Sequence, residues 1–556
     1  MFRPRSKVAR KITAVFAVVG LATSLAVTQA ATVTAQDPYD LAIPAVGEKD
    51  PTLKKFYDQR IEWGPCHDTA QRSWAFFRYQ TYLASNVLEC GTVEVPVVYP
   101  DVIAQDKALG NPWKVEAGRP TTIKLAVSRV RATGERKGGM LVNPGGPGGS
   151  GINTPVGLRE PAIAARILEN YDIVGFDPRG VGASIPNLRC LTDKQFDAVR
   201  TGGHHTFSKA DVAIQNQQNQ EYIEGCIKEV GATFLAHIGA RDVVRDMDII
   251  RSAIGDKKMT YIGYSYGTFL GSQYAEAFPN KIRALVLDGV VDPTEDNAES
   301  VINQGAGFQQ SFEAWARWCA EEGNCPLGND PKKATAEFHK LARPLQKKPM
   351  FTVVMSRPLG WADAVQGVIA AMYSQSTWPL LKLGLQQLKA GVGGDIMLAL
   401  SDGYYGRWID GTYANTQDVF SAVLCMDKDT DVSHAEQIDI QRRYLKAMPF
   451  ADPGGKIEDV PKELCASWPA RNTIKAHPPR VKSNGNIIVV STTGDPATPY
   501  MAGVRLARDM DAPLITYVGE GHCSALRGYA CVDKYVGDFI VDKKVHGKHM
   551  TCKAAS

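Results

Sequence analysis

An α/β fold, built on a mostly parallel sheet and interrupted by a large inserted helical region, is what this sequence predicts. Three observations carry that prediction. Short apolar runs alternate with helical patterns from Thr121 to Asp288, and strands in that rhythm need crossover helices that cover both faces of a parallel sheet. The alternation lapses at Val291 and resumes at Ile487, a gap of about 200 residues that exceeds any ordinary connection. Finally, the runs empty into loops rich in Gly, Ser, Asp and His, the residue types that serve chemistry at the carboxyl ends of strands. The expected division is residues 36–290 and 481–556 for the two parts of the core, with 291–480 as an inserted helical lid.

Composition is that of a soluble globular protein. The 556 residues are 44% hydrophobic and 22% charged. At the N-terminus, Arg3, Arg5, Lys7, Arg10 and Lys11 precede an apolar run from Ile12 to Val27 and small residues up to Ala35. This reads as a signal peptide over 1–35, cleaved after Ala30 or Ala35, since the run is shorter than the roughly 20 residues a membrane span needs. Without it the chain holds 58 basic and 59 acidic residues, so the formal charge moves from +4 to −1. Charge therefore offers no reason to expect nucleic acid or an anionic membrane as partner. A secreted or cell-wall-associated protein is expected.

Eleven cysteines in an exported chain suggest disulfides. Pairing neighbours gives Cys66 with Cys90, Cys190 with Cys226, Cys319 with Cys325, Cys425 with Cys465 and Cys531 with Cys552, leaving Cys523 over. Spacing does not settle connectivity, and other pairings stay open. No zinc-type spacing occurs, so neither metal nor cofactor is expected.

Taken in order, the chain opens with short extended segments at Trp63–Cys66 and Val93–Val97, where Pro96 points to a sheet edge. Strands follow at Ile123–Val130 and Gly139–Val142. The second runs into Asn143-Pro144-Gly145-Gly146-Pro147-Gly148-Gly149-Ser150-Gly151, whose bare amides suit a developing oxyanion; a flexible linker is the alternative. Leu158–Asn170 reads as helix and Tyr171–Phe176 as strand. Asp177 and Arg179, just beyond, are expected to fix a loop beside the site, because arginine is a poor general base. A glutamine-rich excursion spans 187–235, and Val243, Val244, Met247, Ile250 and Ile254 recur at helical spacing over 240–254.

The run Thr260–Tyr264 then enters Gly263-Tyr264-Ser265-Tyr266-Gly267, the pattern of a strand that turns sharply at a serine and starts a helix. Ala284–Leu287 is the next strand, ending at Asp288. The 291–480 stretch carries aromatics at helical spacing, Phe312, Trp315, Trp318, Trp361, Tyr373, Trp378, Tyr404, Tyr405 and Trp408 among them, most of which should be core. Ile487–Ser491 leads to Asp495-Pro496-Ala497-Thr498-Pro499, and Leu514–Val518 leads to Gly519-Glu520-Gly521-His522.

A serine hydroxyl needs a base as it attacks, and a histidine held by a carboxylate supplies one near neutral pH. Ser265, Asp495 and His522 follow in that order, each at the end of an expected strand. Asp288 also ends a strand and competes with Asp495 for the acid. The oxyanion donors would be the Tyr266 amide and one from Gly145 or Gly146.

The loop at 145–151, Asp177-Pro178-Arg179-Gly180, the Gly263–Gly267 elbow, Leu287-Asp288-Gly289 and Asp495–Pro499 together resemble the secreted actinobacterial tripeptidyl aminopeptidases, relatives of prolyl aminopeptidases within the α/β-hydrolases. That resemblance implies acyl-enzyme hydrolysis that releases tripeptides from the free N-termini of peptides or proteins, with Ser265, Asp495 and His522 as triad. It leaves open a carboxylesterase or acyltransferase acting on cell-envelope esters or lipids, and a binding protein that merely keeps the fold. An exopeptidase must also recognise the substrate's ammonium; Asp292, Glu295 and Asp296 are candidates, or else a solvated acidic loop. Oligomeric state is not legible.

Overall fold

The computed structural model describes residues 37–66, 87–159, 161–203, 206–429 and 431–553, so the leader expected at 1–35 lies outside the described residues. Ten strands build one sheet: β1 (Gly64–Pro65), β2 (Leu88–Pro96), β3 (Thr122–Val130), β4 (Gly138–Asn143), β5 (Tyr171–Phe176), β6 (Met259–Tyr264), β7 (Ile282–Asp288), β8 (Ile487–Gly494), β9 (Leu514–Glu520) and β10 (His549–Lys553). Their spatial order is β1-β2-β3-β5-β4-β6-β7-β8-β9-β10. The first three pairings are antiparallel. Every pairing from β5 onward is parallel, which makes the sheet mostly parallel, as expected.

Two corrections arise at the sheet's ends. β2 is not the outermost strand, because the two-residue β1 pairs with its Glu89 and Cys90; Pro96 sits at the far end, beyond β1's reach. β10 adds a strand after the run expected to be last. Its sequence alternates exposed and buried residues and contains no apolar run, and the Cys531–Cys552 disulfide ties it to the helix Ala530–Asp542.

All six residues of β4, β5 and β6 are buried, because helices cover both faces. Alternate side chains along each strand feed two cores. Leu141, Val174, Tyr261, Leu285 and Val489 face one, with Val243, Val244, Met247 and Ile250 of the helix Ala240–Ala253 packed on them. Met140, Val142, Ile173, Ile262, Val286 and Ile488 face the other.

Between β7 and β8 the chain is mainly helical. Helices Asn297–Glu321, Trp361–Met372, Trp378–Ala390 and Asp395–Tyr405 gather a third core around Phe312, Trp315, Trp361, Met372 and Trp378. The helix Thr416–Asp427 behaves differently: its Val419, Ala422, Val423 and Met426 belong to the first core, beside the sheet. Just before it, buried Asn415 donates to the carbonyls of Gly180 (2.7 Å) and Leu188 (3.0 Å) and accepts from the Gly182 amide (3.1 Å). The excursion at 187–235 forms the helices Asp193–Thr201, Lys209–Val230 and Ala232–Ala236. Its Arg200 reaches buried Asp363 (2.6 Å) and Asp402 (2.8 Å) between β7 and β8.

The five disulfides join neighbouring cysteines, as the first of the open pairings has it, and Cys523 is left as a buried free thiol. That number of disulfides fits an exported protein.

Candidate active site

Parallel strands β4, β6, β7, β8 and β9 lie side by side, so the loops leaving their carboxyl ends share one rim. After β6 the backbone turns at Ser265, which adopts φ 55° and ψ −124°, and the helix Tyr266–Ala277 begins at the next residue. A non-glycine residue there is strained by about 1–3 kcal/mol, a strain that the surrounding structure must hold in place. The Ser265 amide donates to the Asp288 carbonyl at 2.9 Å, and the Ser265 carbonyl accepts from the Thr268 amide and hydroxyl at 2.8 and 2.6 Å.

After β9, His522 turns Nδ1 toward Asp495, 2.9 Å from Oδ1 and 3.0 Å from Oδ2. The opposite ring nitrogen, Nε2, is thereby left for the other side. Asp495 follows β8 and is nearly fully buried; it also accepts from the amides of Ala497 (3.0 Å), Thr498 (2.9 Å) and Cys523 (3.3 Å). The Thr498 hydroxyl lies 3.0 Å from Asp495 Oδ2 and 3.2 Å from His522 Nδ1. The base and acid loops meet at Gly289, directly after β7. A Cβ there would stand 2.5 Å from Cys523 Sγ, 3.1 Å from Thr498 Oγ1 and 3.2 Å from His522 Cε1, so the approach needs glycine.

The glycine-rich loop after β4 presses on the elbow. A side chain at Gly145 would stand 2.5 Å from the Tyr264 carbonyl oxygen, 2.8 Å from Ser265 Cβ and 3.1 Å from the Tyr266 amide nitrogen. The Gly145 amide itself donates to Asn143 Oδ1 at 2.9 Å. Of the two expected loop donors, the Gly145 amide is thus already committed. Asp177 holds the far end of the loop, accepting from the Ser150 hydroxyl (2.6 Å) and the amides of Gly151 (2.9 Å) and Ala183 (2.8 Å). Arg179 is buried on Asp246 (2.7 Å) and the carbonyls of Pro96, Val97 and His237. Both residues are framework.

Burial is the largest single influence on His522 and lowers its pKa, but the Asp495 charge, neighbouring Cys523 and the hydrogen bonds to both together overcome it, and the imidazole ends well above its usual value. Burial pushes the Cys523 thiol up to about 11, so it stays protonated and a poor nucleophile at neutral pH. Donor atoms of Asp495, His522 and Cys523 lie within 4.8 Å of one another, close enough to share an ion. The carboxylate, however, is already committed to the imidazole and three amides, and the thiol resists becoming a thiolate, so the group fits a metal poorly.

Of the acids considered for ammonium recognition, Asp292 and Glu295 both pair with Arg505, and Asp296 caps the helix Asn297–Glu321 through the Glu299 amide at 2.8 Å. Each has a structural partner.

The alpha/beta hydrolase fold family matches residues 140–529, which spans the elbow, the acid loop and the base loop. The chain belongs to the α/β-hydrolase family. Serine protease Hip1 of Mycobacterium tuberculosis is 37% identical to this hydrolase over 507 residues, covering 90% of this chain and 92% of that one. Carboxylesterase B of Mycobacterium tuberculosis is 42% identical over 485 residues, 87% and 90% of the two chains. Tripeptidyl aminopeptidase of Streptomyces lividans is 28% identical over 474 residues, 84% and 83%. Together with the fold, these relatives make this chain a serine hydrolase.

Three contributors to the site have no role assigned to them by the sequence, although two lie inside its motifs. Thr498 and Asn143 carry weak signals, being short polar residues that bond locally in tight turns. Tyr373, whose carbonyl accepts from the His522 amide, carries none.

Proposed function

We propose that this hydrolase is an exported serine aminopeptidase that removes short peptides, tripeptides in particular, from free N-termini. The observation that carries the reading is the delivery of Ser265, Asp495 and His522 to one rim, with His522 Nδ1 fastened to Asp495. In this mechanism the Ser265 hydroxyl attacks the scissile carbonyl carbon while His522 Nε2 takes its proton. The tetrahedral oxyanion is stabilised by the amides of Tyr266 and Gly146. Collapse breaks the C–N bond, His522 returns the proton to the leaving amine, and an acyl-enzyme remains. Water then attacks, deprotonated by His522, and frees the peptide acid and the serine.

The peptidase names of two relatives support the substrate class, and the stretch between β7 and β8 is the natural lid limiting substrate length. A second reading, carboxylesterase, is favoured by the 42% identity to carboxylesterase B, and the same triad supports it. Purified enzyme should be offered tripeptidyl chromogenic substrates, free and N-acetylated, beside short acyl esters. Aminopeptidase turnover vanishes on acetylation; ester turnover that exceeds it and ignores the amine replaces the first reading with the second.

A further inference from the structure

Asp288 ends β7, the strand between the nucleophile's β6 and the acid's β8, and it is fully buried. Its main-chain carbonyl accepts from the Ser265 amide (2.9 Å) and from the Cys523 thiol (3.4 Å). Its carboxylate oxygen Oδ2 accepts from two consecutive amides of the base loop, Ser524 (2.8 Å) and Ala525 (2.7 Å). One residue therefore grips the backbone of the elbow with its main chain and the backbone of the base loop with its side chain. A second tie crosses the same gap, from the Tyr264 hydroxyl to the Ala525 carbonyl (3.1 Å).

The base loop needs such a grip. Cys523 and Leu526 stand at φ 65° and 56°, conformations that side chains rarely adopt, so the segment after His522 does not hold its path by local preference. On its other side the loop is fixed by the Gly521 amide on the Gly494 carbonyl (3.2 Å) and the His522 amide on the Tyr373 carbonyl (2.9 Å). Amides donated to a buried carboxylate are stronger than neutral pairs, and removing their acceptor leaves two buried donors unsatisfied.

Resting on the serine-hydrolase reading, we propose that Asp288 is a positioning residue for proton transfer, setting the His522 loop against the Ser265 elbow. It neither touches substrate nor competes with Asp495 as the triad acid. The group that strand position alone marks as a rival acid instead fixes the distance over which the acid–base pair works.

The test compares Asp288→Ala and Asp288→Asn with the wild-type enzyme, reading kcat and KM on the best chromogenic substrate, the rate of covalent labelling of Ser265 by a fluorophosphonate, and Tm. Misplacing reacting groups by about 1 Å costs roughly 100-fold, so Asp288→Ala should lower kcat and the labelling rate by about that factor with KM changed little. Asp288→Asn keeps one acceptor oxygen and the side-chain volume but loses the charge that strengthens both bonds, so it should recover most of the loss and remain about 3- to 10-fold below wild type. A lower Tm with wild-type kcat and labelling in Asp288→Ala overturns the proposal and reduces Asp288 to scaffolding. If Asp288→Ala does not fold, Asp288→Asn decides: a reduced kcat at unchanged KM supports positioning, and wild-type kcat overturns it. Wild-type protein that resists the fluorophosphonate, or Ser265→Ala that keeps its turnover, sinks the serine-hydrolase reading itself and the proposal with it, a failure visible without any Asp288 variant.

Discussion

The main-chain carbonyl of Tyr373 accepts a 2.9 Å hydrogen bond from the amide of His522, and the two rings meet edge to face with centroids 5.4 Å apart. Tyr373 belongs to the helical stretch between β7 and β8, so that stretch reaches the imidazole directly. Such a ring contact is worth about 0.5–1.5 kcal/mol, and Tyr373→Ala, which keeps the carbonyl, should lower kcat by about 3- to 10-fold. Tyr373→Phe should retain nearly all activity. Steady-state kinetics on both variants checks this, and equal kcat in the two denies the ring any part.

Ser265 offers a separation of activity from stability. Ser265→Ala and Ser265→Gly should both lose turnover by about 10^5- to 10^6-fold, the scale on which a lone nucleophile is removed. Glycine ordinarily lowers stability by about 0.5–1 kcal/mol relative to alanine. At φ 55° the order should reverse or vanish, with Ser265→Gly melting at or above Ser265→Ala. Calorimetry that finds the glycine variant clearly less stable would show the elbow to be unstrained.

Asp495→Asn should cut kcat by about 10^4-fold, because the amide no longer fixes the productive tautomer of His522. It should also move the acid limb of the residual kcat/KM profile to lower pH, since the Asp495 charge is the largest of the influences that raise the imidazole, ahead of neighbouring Cys523. An acid limb that stays in place assigns that charge effect to another group.

Stability should fall as pH rises from about 4 to about 7. Burial pushes Asp177 and Asp288 up to about 6 and Asp418 and Asp427 up to about 7. Each binds its proton more tightly folded than unfolded, so its contribution is present at low pH and disappears through those values. Asp538 works the other way: burial raises it, but hydrogen bonds from Lys534 and His546 bring it to about 2, a contribution lost only at stronger acidity. Thermal melts across the range should place the highest Tm on the acid side of neutrality; a Tm that climbs toward about pH 8 contradicts the burial of these acids.

The parts of the site that were legible in the sequence share one property: each follows an apolar strand directly. Ser265, Asp495 and His522, the residues proposed for catalysis, each stand where a buried run stops. Asp288 satisfies the same rule, which is why strand position could not separate the rival acid from the chosen one; only the direction of its carboxylate, toward Ser524 and Ala525 and not toward His522 Nδ1, does so. The proposed preference for Gly146 over Gly145 rests on Asn143, two residues before Gly145, whose rotamer no pattern reveals. β10 escapes the pattern because three of its five residues face water, and the antiparallel direction of β1–β3 escapes it because period-two alternation is the same in either direction. Tyr373 looked like one more core aromatic among many.

Asn415, held by Gly180, Gly182 and Leu188, fastens the long connection to the loop behind β5, far from either of its own ends in sequence. Anyone exchanging that connection with a relative's to retarget the enzyme must therefore graft a three-point plug together with its socket. A chimera spliced only at β7 and β8 would inherit the catalytic side chains and leave the socket open.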